Sequence, residues 1–102
     1  MRIIRETALR EFAAVHAEAA PGLEVWRQVM RREKFRHFAD LRRCFPSADQ
    51  VRVGSERVVV VFNIHGNDYR LICAIHYNTG KVFLLRFLTH AEYSRDRWKD
   101  EL

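Results

Sequence analysis

The feature that most constrains this chain is a change of hydrophobic period at Val58. Before it, apolar residues recur at helical spacing: Leu9, Phe12, Ala13 and His16, then Leu23, Trp26 and Met30, then Phe38, Leu41 and Phe45. After it, Val58 to Ile64 is a β-branched run, and Tyr69 to Tyr77 and Lys81 to Leu88 are two further strand-like runs. Gly66-Asn67 supplies a tight turn after the first run. Asn78-Thr79-Gly80 supplies a three-residue loop after the second, with glycine in the left-handed position. Pro21 suits the first turn of a new helix after the break at Ala20, and Pro46 closes the last helical stretch. A short apolar start, Ile3-Ile4, fits an edge strand, residues 47–57 read as a polar loop, and residues after Thr89 read as a short helix or tail. Helices followed by an antiparallel meander predict an α+β fold, N-terminal helices packed on a small antiparallel sheet. At 102 residues, one domain spanning 1–102 is expected.

Several function classes are disfavoured at once. No stretch approaches the roughly 18 apolar residues of a membrane span. Arg2, Arg5, Glu6 and Arg10 interrupt the N-terminal segment where a secretory signal would need an apolar core. The final Lys99-Asp100-Glu101-Leu102 spells the endoplasmic-reticulum retention address, which is read only on chains that entered the secretory route. A charged, frayed tail is the plainer reading, and a cytoplasmic location is expected. Cys44 and Cys73 are separated by 28 residues, too far for a metal pair spaced roughly two to four apart, so two reduced and buried thiols are expected. The five histidines show no ligand spacing, and neither a metal nor another cofactor is expected.

Charge narrows the partner. The net charge is +5, and residues 26–43 alone account for it, with Arg27, Arg31, Arg32, Lys34, Arg36, Arg42 and Arg43 against Glu33 and Asp40. Such a run is often a solvated helix face. Concentration of the whole imbalance in one segment instead favours a polyanion-facing surface, with Arg27, Arg31, Arg32 and Lys34 as its candidate contacts.

The turns also set a register. With Gly66-Asn67 central, Asn63 falls opposite Arg70; with Tyr77 paired to Lys81, Ile72 falls opposite Arg86. Alternation then puts Asn63, Arg70, Ile72 and Arg86 on one face, and Phe62, Leu71, Cys73, Ile75, Phe83, Leu85 and Phe87 on the helix-covered face. Two arginines on one face repel unless an anion joins them. Carboxylates elsewhere in the chain satisfy that need equally well, whereas a shared phosphate suits the planar guanidinium fork. The third strand runs into His90 and, three residues on, Tyr93. A histidine is often structural, but one placed after a strand arginine can exchange protons near neutrality.

These residues carry a resemblance. Val61-Phe62-Asn63-Ile64-His65-Gly66-Asn67-Asp68-Tyr69-Arg70-Leu71 resembles the strand–turn–strand of HigB-type toxins, and Val82 to Tyr93, with its Thr89-His90-Ala91-Glu92-Tyr93 ending, resembles their C-terminal signature. Phe45-Pro46-Ser47-Ala48-Asp49, Met1-Arg2-Ile3-Ile4 and Ala8-Leu9-Arg10-Glu11-Phe12 agree as well. Arg5 departs from the small capping residue common among relatives, and Ser94–Leu102 lies outside the motif. The resemblance implies a RelE-like fold, cleavage of messenger RNA on the translating ribosome, and neutralisation by a cognate helix-turn-helix antitoxin (HigA-like). It implies Arg70, Arg86, His90 and Tyr93 as catalytic residues acting without metal. Asn63, Asn67 and the basic segment would bind substrate. Two other readings stay open on sequence alone: a non-nuclease poison of DNA gyrase resembling the ParE branch, and a non-catalytic RNA-binding module.

Overall fold

The computed structural model describes residues 1–102. Strand β1 (Arg2–Ile4) leads into helix α1 (Ala8–Val15), a short 3₁₀ turn (Ala17–Ala19), α2 (Ala20–Arg32) and α3 (Phe38–Cys44). Four strands follow, β2 (Asp49–Arg52), β3 (Val58–Ile64), β4 (Tyr69–His76) and β5 (Lys81–Thr89), and the chain ends in α4 (His90–Ser94) and α5 (Arg97–Glu101). The strands form one sheet in the order β1-β5-β4-β3-β2. The expected α+β architecture is therefore present. The antiparallel meander of β2 to β5 is extended by β1, which joins β5 in parallel and makes the sheet mixed.

Helices α1, α2 and α3 cover one face. Leu23, Trp26 and Met30, the predicted stripe of α2, are all buried against Phe62, Leu71 and Cys73 of the sheet. Trp26 meets Phe62 edge-on with centroids 5.5 Å apart, and Phe12 stacks on Phe87, which stacks on Tyr69, both at 5.2 Å. Full burial of such side chains stabilises the fold by about 1.5–3 kcal/mol each, which fixes where the helices sit.

Three sequence expectations need correction. Residues 47–57 are not all loop, because Asp49–Arg52 pairs with Val58–Val61 as β2; the edge of β3 offers free backbone groups that even a polar segment can use. Cys44 is exposed on α3, so of the two thiols only Cys73 is buried, and burial raises its pKa. The third concerns register. The β4–β5 loop holds Tyr77 as well, since the Gly80 amide donates to the His76 carbonyl at 2.9 Å, and His76 rather than Tyr77 opposes Lys81. Gly80 makes this closure with φ +69°, a conformation costly for other residues. The resulting one-residue offset puts Val82 and Leu84, not Phe83 and Leu85, under the helices. A bulge between the Ile72 and Cys73 pairings then absorbs Leu85 and restores the predicted Ile72–Arg86 pair. Asn63 opposes Arg70 as expected.

The other sheet face is covered too. Val53, Val59, Val61, Ile72 and Trp98 form a second apolar cluster, so α5 closes a face that the sequence leaves open. No helix is long and apolar enough to cross a membrane. Leu71 is fully buried between Phe62 and Phe87 on neighbouring strands. Leu71→Ala is expected to cost about 2–5 kcal/mol in a urea titration, through lost transfer energy and the cavity left behind.

Candidate active site

Arg70 organises the region. It lies on β4, with β3 and β5 on either side, and only 8% of its surface is exposed. Its Nη1 donates to the carbonyls of Asn67 at 2.9 Å and of Tyr69 at 3.1 Å, and its Nη2 donates to Asn67 Oδ1 at 2.5 Å. Nη2 also lies 3.4 Å from His90 Nδ1. The guanidinium sits over the Tyr93 ring, 5.2 Å from its centroid. Arginine only donates, so this contact with His90 is a hydrogen bond when Nδ1 accepts and the imidazole proton resides on Nε2. None of these partners is an anion, and none of the chain's ion pairs reaches Arg70.

Local structure explains why these groups meet. Asn67 belongs to the β3–β4 turn, whose preceding residues His65 and Gly66 take positive φ of 55° and 64°. Thr89 ends β5 and caps α4: its hydroxyl accepts from the Glu92 amide at 3.2 Å while Glu92 Oε1 accepts from the Thr89 amide at 2.9 Å. This capping box orients His90 and Tyr93 in the first turns of α4. The His90 amide donates to the Asp68 carbonyl at 2.8 Å, which latches α4 to the turn that carries Asn67. The Thr-x-x-Glu spacing of Thr89 and Glu92 was a readable signal for the box; nothing in the sequence pointed to the Asp68 latch.

The Tyr93 hydroxyl is pushed above its ordinary pKa, first by burial and then by the nearby Asp49 carboxylate. It is thus a neutral phenol at physiological pH. Asn63 is exposed and shares the face of its cross-strand partner Arg70. Arg86 shares the face as well but turns away from the cluster: its Nη1 donates to the Leu85 carbonyl at 2.8 Å, and its Nε lies 3.9 Å from Glu101 Oε1. The structure therefore gathers Asn67, Arg70, His90 and Tyr93, keeps Asn63 adjacent by register, and leaves Arg86 at the side.

The basic segment is elsewhere. α2 lies on the helix-covered face, with the sheet between it and Arg70. Arg27 donates to both Glu24 oxygens at 2.8 and 2.6 Å and lies 3.6 Å from Glu6, while Arg31 donates to Glu6 at 3.3 Å. Arg27 holds the Glu24 carboxyl down at a pKa of about 2. Arg32 and Lys34 are exposed and free of such pairs. Glu6 and Glu24, which lie outside residues 26–43, thus offset part of that segment's local positive excess. Arg27 and Arg31 line a groove of about 660 Å³ between α1 and α2 with Glu6, Glu24, Leu9 and Leu23.

The family described as HigB toxin, RelE-like toxic component of a toxin–antitoxin system, matches residues 19–96. The mRNA interferase toxin HigB of Escherichia coli K12 is 25% identical over 93 residues, covering 91% of this chain and 88% of the relative. The mRNA interferases HigB of Escherichia coli O157:H7 and of Shigella flexneri match with the same identity and coverage. Tyr93 belongs to both the matched segment and the Arg70 cluster.

Two expectations follow from the geometry. Thr89→Ala should cost about 1 kcal/mol of stability by removing the cap, with hydrogen exchange of the Glu92 amide rising ahead of the sheet amides. Tyr93 keeps its proton in the folded state above pH 10.0, the ordinary value at which an unfolded tyrosine loses it. The folded state then binds more protons in that window, so rising pH favours unfolding. A urea midpoint that falls above pH 10.0 should fall less steeply in Tyr93→Phe, although Tyr77, also raised by burial, still contributes.

Proposed function

Since the chain belongs to the HigB toxin family, the RelE-like toxic component of a toxin–antitoxin system, we propose that it is an endoribonuclease that cleaves messenger RNA on the translating ribosome and is neutralised by a cognate helix-turn-helix antitoxin. The observation that carries this reading is Arg70: a buried guanidinium held entirely by neutral acceptors. A buried charge without a counter-ion is costly, and the natural complement here is an anion supplied by the substrate. The names of the relatives supply the substrate class.

In this mechanism the substrate's own 2′-hydroxyl oxygen attacks the adjacent phosphorus. The bond to the 5′-oxygen breaks, a cyclic phosphate forms, and the proton lost by the nucleophile is made good on the leaving oxygen. The nucleophile belongs to the RNA, so the scheme runs through side chains alone. Arg70 stabilises the charge that grows on the non-bridging oxygens. His90 transfers the proton as general base or acid. Tyr93, a neutral phenol, stacks on a base or donates to the substrate and does not take the proton. Arg86 exchanges its loose contact with Glu101 for the phosphate and completes the clamp. Asn63 and Asn67 position the RNA, Asn67 also bracing Arg70. Arg32 and Lys34, two cations of the basic segment that form no ion pair, grip phosphates of the ribosome–messenger complex from the far side of the sheet. Arg27 and Arg31 contribute less to that grip because Glu6 and Glu24 already neutralise them.

Purified Arg70→Ala and His90→Ala proteins, incubated with programmed ribosomes, test the assignment. Each should cleave messenger about 10²-fold or more slowly than the unaltered chain. Both should still bind the antitoxin, showing that they are folded. Undiminished cleavage by both variants would sink the mechanism, and an intact messenger together with an inhibited gyrase would favour a ParE-like poison instead.

A further inference from the structure

Helix α5 begins just past residue 96, where the family match ends. Its tryptophan makes a specific set of contacts. Trp98 is 2% exposed and is packed with Val53, Val59, Val61 and Ile72 on the sheet face that carries Arg70. Its indole stacks on the Tyr93 ring with centroids 5.3 Å apart and planes inclined by 18°, and its Nε1 donates to the Tyr93 carbonyl at 3.0 Å. Trp98 therefore holds Tyr93 by both ring and backbone. The same Tyr93 ring lies under the Arg70 guanidinium.

Other features bring α5 into place. Asp96 takes the left-handed conformation, φ 62°, which reverses the chain between α4 and α5; aspartate is among the few residues that tolerate it. The Gly54 amide donates to the Lys99 carbonyl at 2.7 Å, and a Cβ on Gly54 would lie 3.1 Å from that oxygen, a tight contact that a larger residue would keep only if α5 shifted by a few tenths of an ångström. Glu101 on the same helix faces Arg86.

We propose that Trp98 is a positioning residue for the RNA-cleaving site, holding the Tyr93 ring over the Arg70 guanidinium through the indole–phenol stack and the bond to the Tyr93 carbonyl. The proposal rests on the nuclease reading for its consequence, but the geometry it asserts can be tested apart from cleavage. Replacing a tryptophan that only filled the core by another apolar side chain would cost stability but leave the Arg70 site in place. A positioning tryptophan needs a flat ring, so phenylalanine should substitute for it and leucine should not.

The experiment compares Trp98→Phe and Trp98→Leu by the NMR resonance of the Arg70 Nε–H, shifted by the Tyr93 ring current, and by cleavage of programmed messenger. In folded Trp98→Leu the Arg70 signal should move toward the position of a free arginine. Its maximal cleavage rate should drop about tenfold while KM stays within about twofold, the pattern of a misplaced group acting in the transition state. Trp98→Phe should keep the Arg70 signal and retain a rate within about threefold of the unaltered chain, since one aromatic stack replaces another. An Arg70 resonance unmoved in Trp98→Leu would overturn the proposal. If the unaltered chain does not cleave messenger, the nuclease reading fails, and the Arg70 resonance still reports on Trp98. If Trp98→Leu does not fold, nuclear Overhauser contacts from Trp98 to Tyr93 and from Tyr93 to Arg70 in the unaltered chain decide: both present supports the proposal, and either one missing overturns it.

Discussion

A positive charge buried on a strand that is covered on both faces is the constraint on which this molecule turns. Arg70 gives up most of its hydration on β4, and the fold compensates with carbonyl oxygens, an amide, an imidazole and an aromatic face, none of them an anion. Each compensating group then needs its own support. Asn67 requires the turn at His65 and Gly66, His90 requires the Thr89–Glu92 capping box and the Asp68 latch, and Tyr93 requires a partner for its ring. Neutral acceptors satisfy hydrogen bonds without cancelling charge, so the arginine stays rigid and remains electropositive.

The distribution of charge across the sheet separates two environments that net charge alone would merge. On the helix-covered side, arginines of α2 are largely matched by Glu6 and Glu24, and such exposed pairs add little stability. On the opposite side a single guanidinium is buried and unmatched. A surface pair can be traded for a partner's phosphate at small cost, whereas the buried group is held ready without rearrangement. The proposed division of gripping and chemistry between the two sides rests on that difference.

The coverage of the second sheet face has a similar logic. Val59, Val61 and Ile72 would be exposed on a bare sheet, and Trp98 removes them from water. The element that pays this structural debt also touches Tyr93 and faces Arg86. Stability of the second apolar cluster and order in the site are therefore coupled: whatever loosens α5 exposes the valines and frees the tyrosine together.

The linear sequence determined the class of fold, the helix faces and the juxtaposition of Asn63 with Arg70. Periodicity places Leu23, Trp26 and Met30 under one roof, and a two-residue turn signal fixes pairing for every residue beyond it, because both are local and repeat at the chain's own geometric period. Where local signals were ambiguous, the expectation slipped. The β4–β5 loop took Tyr77 as well, and a bulge at Leu85 returned Arg86 to its expected partner, so the right pair was reached through an incorrect assignment of Phe83 and Leu85. The strand at Asp49–Arg52 formed because β3 offered an unpaired edge, not because its own residues favour strands. Only tertiary structure decided that Arg27 and Arg31 meet Glu6, that Arg86 turns toward Glu101, and that Trp98 comes to rest on Tyr93. The pairs with Glu6, the turn toward Glu101 and the seating of α5 depend on which surfaces the sheet presents once closed, and Trp98 is held there by apolar area that exists only after β2 to β5 have paired. A periodic pattern can state which way a side chain faces; what waits for it there is a property of the folded chain.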